Sequence, residues 1–186
     1  FLSSESRKID SDQELLRVDW AHTPNSNFMF RYSHSNEPQY LPGTVPERGT
    51  LNTTVIHLGV LGHTWVIGTN KVNEFRAGFN RLESYNGNLH SGNPDYNVVG
   101  TMNIGAGLRE PLFWGVPDFT ISGFGGVGDP GNGPYATWDN VFQYSDNFTW
   151  TTSTHVVKFG AEYRRTQFNI KGNDVSRGRI GINGNY

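Results

Sequence analysis

The sequence predicts an all-β fold, built as an antiparallel up-and-down meander of about six strands. Aromatic residues make up 13% of the 186 residues and glycines number 23, while Leu and Ala are scarce, a composition that favours strands and turns over helices. Six segments alternate apolar and polar side chains with the period of two that a strand requires. Tight turns separate several of these segments, so successive strands are expected to be neighbours in one sheet.

The first three predicted strands lie at about 12–22, 27–35 and 51–66. In the first, the face opposite Arg17 and Asp19 is apolar and consists of Leu16, Val18 and Trp20. In the second, the face opposite Arg31 and Ser33 is aromatic and consists of Phe28, Phe30 and Tyr32. The third is the least regular, because Ile56, Leu58, Val60 and Val66 suggest one face while the other carries His57, His63 and Trp65.

The last three predicted strands lie at about 71–84, 139–151 and 155–170. Phe75, Ala77 and Phe79 share a face opposite Glu74 and Arg76. The last two strands continue this apolar series with Tyr144, Phe148, Trp150, Val157, Phe159, Ala161 and Tyr163. Asp146 falls by parity among these residues, and a bulge or a register change is expected there.

The connectors differ in length in a regular way. Residues 23–27, 67–71 and 151–155 form short turns, whereas 36–49 is longer and 85–138 is very long. In an up-and-down meander alternate connectors lie at the same end of the sheet. One end therefore carries only short turns, and the other carries the long loops. This asymmetry is typical of outer-membrane barrels, whose strands cross the bilayer with about 9–11 tilted residues. A soluble sandwich with one functional long loop is the alternative.

The aromatic face is predicted to contact lipid. A face buried between two protein sheets would favour Val, Ile and Leu, whereas rings near strand ends suit the headgroup level of a bilayer. Trp20, Trp65 and Trp150 each lie beside a short turn. The predicted lipid-facing set is Trp20, Phe28, Phe30, Phe75, Phe79, Phe148, Trp150, Phe159 and Tyr163. The predicted lumen-facing set is Arg17, Asp19, Arg31, Glu74, Arg76, Lys158, Glu162 and Arg164.

Composition excludes several classes of function. Charged residues make up 17% with a net charge of −2, which gives no electrostatic basis for binding nucleic acid or an anionic membrane surface. The chain has no cysteine, so it has no disulfide, thiolate metal site or cysteine nucleophile. The longest apolar run, 55–67, is interrupted by His and Gly and falls short of a transmembrane helix. The sequence begins with Phe1 and lacks a signal peptide, so we expect a piece of a longer protein.

Five segments resemble barrel strands of TonB-dependent outer-membrane receptors, most closely the Oar-like group common in Acidobacteria. They are LLRVDW (15–20), FMFRYSHSN (28–36), VNEFRAGFNRL (72–82), DNVFQYSDNFTW (139–150) and HVVKFGAEYRR (155–165), and the last two are the most specific. The resemblance implies a 22-stranded barrel, closed by an N-terminal plug on which a TonB complex acts to import scarce ligands. The sequence departs from that pattern, since it has no recognisable plug domain, TonB box or C-terminal aromatic strand. Six strands are also too few to close the smallest common barrel, which takes about eight.

No catalytic, cofactor or metal site is predicted. Gly123, Gly125 and Gly128 have the spacing of a dinucleotide fingerprint, but the DPGNGP segment that follows excludes the helix which that motif needs. His57 and His63 share a face but lie roughly 20 Å apart on an extended strand, too far for one metal ion. The inward charges are expected mainly to form cross-strand ion pairs, with contacts to a ligand or a plug as the alternative.

The long loop is the best candidate for ligand recognition. Its aromatic residues either hold a ligand or fold back on the loop itself, and they are Tyr96, Phe113, Trp114, Phe119, Phe124 and Tyr135. The leading functional hypothesis is a section of an outer-membrane transporter that imports a siderophore, a cobalamin or a glycan, with lipid, its own plug and the TonB complex as partners. The alternatives are an outer-membrane adhesion protein that displays the loop and a soluble carbohydrate-binding module.

Overall fold

The structure is a computed structural model that describes residues 5–103 and 109–184. Its strands are β1 (Lys8–Ile9), β2 (Asp12–Thr23), β3 (Ser26–Leu41), β4 (Thr50–Ile67), β5 (Lys71–Asn88), β6 (Asp118–Ile121), β7 (Tyr135–Thr151), β8 (Val156–Gly172) and β9 (Arg179–Ile182). The large sheet is an antiparallel meander in which β1 and β2 both pair with β3, followed in order by β4, β5, β7 and β8. The predicted all-β meander is therefore confirmed.

The large sheet is open at both edges. Within residues 5–103 and 109–184, the outer edges of β2 and β8 have no partner strand. An open edge leaves backbone donors and acceptors that cannot remain unpaired in hydrocarbon. A location in a membrane would therefore require further strands at both edges. No helix in the described part of the chain is long and apolar enough to cross a bilayer.

The strands are longer at one end than the sequence pattern predicts. β3 continues to Leu41 and β5 to Asn88, and β7 begins at Tyr135, so the loop after β5 covers 89–134 and not 85–138. A proline such as Pro38 disfavours the interior of a sheet, because it donates no ladder hydrogen bond. In the sheet Pro38 lies opposite the break between β1 and β2, and its carbonyl accepts a hydrogen bond from the Asp10 amide at 3.2 Å. The proline nitrogen, which has no N–H to donate, therefore faces the gap between β1 and β2. Because no ladder hydrogen bond from it is needed there, β3 continues past Pro38.

The ladder is regular at Asp146, where a bulge or register change is expected from the sequence. Asp146 pairs with Phe75 on β5 and with Ala161 on β8 in an unbroken register, so that prediction is wrong. Its carboxylate instead accepts a hydrogen bond from Asn73 Nδ2 at 2.7 Å, and this partner on the adjacent strand satisfies one of its oxygens. The pairing of the long strands shifts between Ala21 and Thr23, next to the first turn.

The long connectors form a second layer above one end of the sheet. This loop layer comprises 42–49, 89–103, 109–134 and 173–184, and it contains the two-stranded parallel sheet of β6 and β9. Short helical turns lie at Pro94–Tyr96, Val98–Thr101 and Pro111–Phe113. The most deeply buried apolar residues of the described chain lie here, and they include Val99, Phe113, Pro117 and Pro134. The hydrophobic core therefore belongs mainly to the loops, and Ala136 at the start of β7 is its contribution from the sheet.

Candidate functional site

All of the predicted lumen-facing residues lie on one face of the sheet, which we call the polar face. The strand register aligns Arg17, Arg31 and Arg164 in one row, with Val60, Gly78 and Gln143 between them. The next row contains Asp19, Arg76 and Glu162. A hollow of about 420 Å³ lies where small residues leave room, and Asp19, Gly62, Glu74 and Arg76 contribute to its wall.

Cross-strand ion pairs do not fill the polar face, contrary to the main expectation from the sequence. Arg17 pairs at 2.7 Å with Asp19 of its own strand, and Gln143 Nε2 donates to Glu162 at 3.1 Å. Within the described residues, no salt bridge involves Arg31, Arg76, Lys158 or Arg164. The Glu74 carboxylate likewise has no cationic partner there. The polar face thus carries cations that are available to a group outside the described sheet.

All of the predicted lipid-facing residues lie on the opposite face, which we call the aromatic face. Many remain exposed, with Phe30, Phe159 and Tyr163 at 42%, 62% and 61% of full exposure. Neighbouring rings contact one another across the strands, as in the pairs Phe148–Phe159 and Tyr144–Tyr163. On β7 this apolar series runs from Phe142 to Trp150, about 27 Å along the strand and about 21 Å along a barrel axis at a tilt of about 40°. That height suits the outward apolar band of a barrel, about 25 Å tall.

A row of polar residues ends the apolar series on the side of the loop layer. Its members, in order across the sheet, are Glu14, His34, His57, Arg81, Asn140 and Gln167. His57 Nδ1 lies 2.7 Å from the Tyr32 hydroxyl, and the His34 and His57 rings are 4.8 Å apart. Nearer the short turns, His63 stacks on Phe28, and its Nε2 lies 2.9 Å from Ser26 Oγ. The described residues hold no group of side chains suited to a metal ion.

A buried ion pair anchors the loop layer. Arg177 and Asp129 side chains are 4% and 3% exposed, and their closest atoms are 3.5 Å apart. Arg177 also donates to the Trp114 carbonyl and to Ser91 Oγ, and Asp129 accepts from the Val116 amide. Burial raises the pKa of Asp129 although Arg177 opposes the shift, and burial lowers the pKa of Arg177. Desolvation thus outweighs attraction in setting both pKa values, and the contacts of the pair join three of the four segments of the loop layer.

A second charged cluster ties the connector after β3 to the small sheet. Asp118, which is buried, accepts from Arg179 at 2.9 Å and from Arg48 at 3.3 Å. Arg48 also donates to the Gly126 carbonyl at 2.8 Å. Residues near 48, 118, 126 and 179 are far apart in the sequence, so these contacts close the loops into one compact unit.

The predicted loop aromatics differ in burial and in contacts. Phe113 is buried in the loop core, and Trp114 Nε1 donates to the Arg109 carbonyl. Tyr96 stacks on His90 with ring centroids 3.7 Å apart, and the Tyr135 hydroxyl donates to Asp174. Phe119 is half-buried in β6, whereas Phe124 is 79% exposed. Most of these rings therefore fold back on the loop layer, and Phe124 stands apart in solvent.

The sequence pattern did not indicate the charged clusters or the part played by residues 173–184. Arg177 and Arg179 follow the last long strand in a polar, glycine-containing segment that resembles an ordinary tail. Their partners Asp129 and Asp118 lie in the glycine-rich loop. The only local signal is an arginine at each end of RGR (177–179), together with acidic residues in a long loop. That signal does not say which charges meet.

Comparison with known protein families supports the membrane interpretation. The model of a family described as an outer membrane beta barrel domain matches residues 1–186. Neither the curated proteins nor the solved structures gave a significant match. The match covers the whole chain, and it agrees with a meander that has one aromatic face, one polar face and loops concentrated at one end. The chain belongs to the outer membrane beta barrel domain family, and its location is the outer membrane.

Proposed function

We propose that the chain forms a section of the wall of a TonB-dependent outer-membrane transporter, with the aromatic face in lipid, the polar face toward the lumen and the loop layer outside the cell. The resemblance to that group of receptors supports the proposal. The five segments that carry it lie in β2, β3, β5, β7 and β8. Only the first residue of the last segment, His155, lies outside its strand. The proposed cargo is a scarce nutrient of the siderophore, cobalamin or glycan type, and no catalysis is involved.

The observation that carries the proposal is the set of unpaired cations on the polar face. A wall that only closes a pore can neutralise its charges across neighbouring strands. Arg31, Arg76 and Arg164 have no such partner in the described chain. Cations that line a lumen are suited to a carboxylate or another anionic group inside it, on a plug or on a ligand in transit.

A labelling experiment tests which face meets water. The chain lacks cysteine, so single variants give a clean background. Glu162 and Tyr163 are adjacent on β8 and lie on opposite faces. In the full-length protein in membranes, a water-soluble maleimide should label the Glu162→Cys variant and spare the Tyr163→Cys variant. The reverse result would reject the assigned orientation of the sheet.

A binding experiment tests the transport step without knowledge of the cargo. The full-length protein in detergent should retain the periplasmic domain of TonB on an affinity column. A barrel from the same membrane that does not depend on TonB serves as the control. If the full-length protein retains no more TonB than this control, transport is the wrong assignment.

The second candidate is an outer-membrane surface protein that uses the barrel to display the loop layer. The buried ion pair and the small parallel sheet favour it, because they make the loops a compact unit that needs no ligand to order it. Adhesion that persists in cells without TonB would support display. A soluble carbohydrate-binding module required the aromatic face to be buried between two sheets, whereas that face is exposed and the family is one of membrane barrels.

A further inference from the structure

The loop layer contains a cavity of about 310 Å³ between the connector after β3 and the long loop. Val45 and Val127 contribute apolar side chains to its wall. The polar and aromatic side chains of the wall that matter for binding are those of Glu47, Arg48, His90 and Tyr96. Ligand pockets in proteins span about 300–1,000 Å³, so this cavity is at the small end and fits one or two rings.

Two charged residues of the cavity, Arg48 and Asp129, are already engaged by other parts of the loop layer. Arg48 donates to Asp118 and to the Gly126 carbonyl. Asp129, which also lines the cavity, faces Arg177 and accepts from the Val116 amide. An anionic ligand would find no free cation here, and burying an unpaired charge is costly. A cationic ligand would meet only Glu47, whose side chain is 69% exposed, so that the attraction is weakened by water. The wall therefore favours an uncharged molecule.

Two stacked rings give the cavity a planar aromatic wall. The rings of His90 and Tyr96 lie 3.7 Å apart at an angle of 5°, and both residues line the cavity. A planar aromatic guest can stack on such a pair or meet its edge, and either arrangement is favourable beyond the area it buries. A saturated sugar would need several hydrogen-bonding groups that this mainly apolar wall lacks.

One polar group of the cavity has capacity left for a ligand. Glu47 Oε2 lies 2.7 Å from His90 Nε2, within ion-pair distance, and the buried Nε2 has no hydrogen-bond partner in the described chain. Glu47 is largely exposed and adopts a left-handed backbone conformation, with φ at 67°, which is uncommon for a residue other than glycine. A carboxylate has about four acceptor sites, so Glu47 can accept a hydrogen bond from a guest beside its contact with His90.

We propose that this cavity binds an uncharged aromatic molecule of one or two fused rings that carries a single hydrogen-bond donor. The ring stacks on the outer face of the Tyr96–His90 pair or meets its edge, the valines cover part of the guest, and the donor meets Glu47. Binding at this site is independent of whether the barrel transports its cargo, so failure of the TonB experiment leaves the proposal intact.

Ligand-observed NMR with indole as the probe tests the proposal on the full-length protein in amphipol. Val45→Trp should fill the cavity, while Val175→Trp places the same ring at a residue of matched exposure, 38% against 37%, outside it. We expect saturable indole binding by the wild type and by Val175→Trp, and at least ten-fold weaker binding by Val45→Trp. Tyr96→Leu, which removes the planar wall, should weaken binding to a similar degree.

Benzoate and glucose serve as competitors, because the first is a charged aromatic and the second an uncharged polyol. Neither should displace indole at concentrations that saturate the site with the probe. Equal binding by wild type and Val45→Trp would overturn the proposal, as would the absence of saturable binding or displacement by either competitor. Heat-modifiable migration and resistance of the loops to protease establish that each variant is folded.

Discussion

Removal of Arg177 tests whether the buried ion pair orders the loop layer. In Arg177→Met the Asp129 carboxylate stays buried with the Val116 amide as its remaining partner, and the Trp114 carbonyl and Ser91 lose their donors. Breaking a buried pair from one side costs about 3–5 kcal/mol. Because Asp129 keeps one hydrogen bond and can take up a proton, we expect the lower end, about 3 kcal/mol, in the free energy of opening of the loop layer.

Hydrogen exchange of the Phe119 and Val127 amides measures this loss. They bond to each other's carbonyls at 2.8 and 2.9 Å and do not contact the mutated side chain. A loss of about 3 kcal/mol corresponds to roughly 150-fold faster exchange. The double variant Arg177→Met/Asp129→Leu removes both charges and should return to within about 1 kcal/mol, or about five-fold, of the wild type.

The exposed pair between Lys171 and Glu110 provides the control. Its side chains are 49% and 59% exposed, so Glu110→Gln should change the free energy by no more than about 1 kcal/mol. An increase in exchange of less than about three-fold in Arg177→Met would refute the reasoning. So would a double variant as unstable as the single one, because the loss would then come from packing and not from an uncompensated charge.

Three more outcomes are expected. Burial raises the pKa of Asp129 above its ordinary 3.8, so the folded loop layer binds a proton at this carboxyl more tightly than the unfolded chain does. The stability of the loop layer should therefore fall as the pH rises from 3.8 through the raised pKa. Hydrogen exchange corrected for intrinsic rates measures this pH dependence, and Asp129→Asn should abolish it. Phe30→Arg places a charge within the aromatic face and should cost about 2–4 kcal/mol in urea-dependent refolding into vesicles, whereas Met29→Arg on the polar face should cost less than about 1 kcal/mol. Gly128→Ala brings a Cβ within 2.0 Å of the Pro117 carbonyl oxygen and should make the loops sensitive to protease. Gly123→Ala should have a much smaller effect, because Gly123 has a similar positive φ but open space around it. Equal sensitivity of the two variants to protease would contradict the steric argument.

The sheet could be predicted from the sequence because it depends on local alternation. In most strands one face is apolar, so parity alone separates Arg31 from Phe30 and Lys158 from Phe159, and the register of the structure keeps that separation. β4 is the exception, because the register places its alternating aliphatic residues on the polar face. Parity does not say how a charge on the aromatic face is satisfied. Asp146 suggested a bulge, whereas Asn73 on the next strand satisfies one of its oxygens, a contact that depends on register.

The loop layer could not be predicted, because its contacts join residues distant in the sequence. Arg177 reaches Ser91 across 86 positions and Arg48 reaches Asp118 across 70. No periodic pattern encodes such pairs, and glycines and prolines in the long loop indicate turns without saying where they meet. For the same reason the cavity around His90 and Glu47 has no signature in the sequence. Its walls come from three separate segments.

The extra length of the strands sets how far the loop layer stands from the lipid. β5 continues from Arg81, in the polar row, to Asn88, which raises the loops by about 18 Å for strands tilted by about 40°. The headgroup zone on each side of a bilayer is only about 5–8 Å thick. In the proposed orientation the loops begin about 10 Å beyond the headgroups. An antibody raised against the loops should therefore bind to intact living cells whose outer membrane has not been permeabilised.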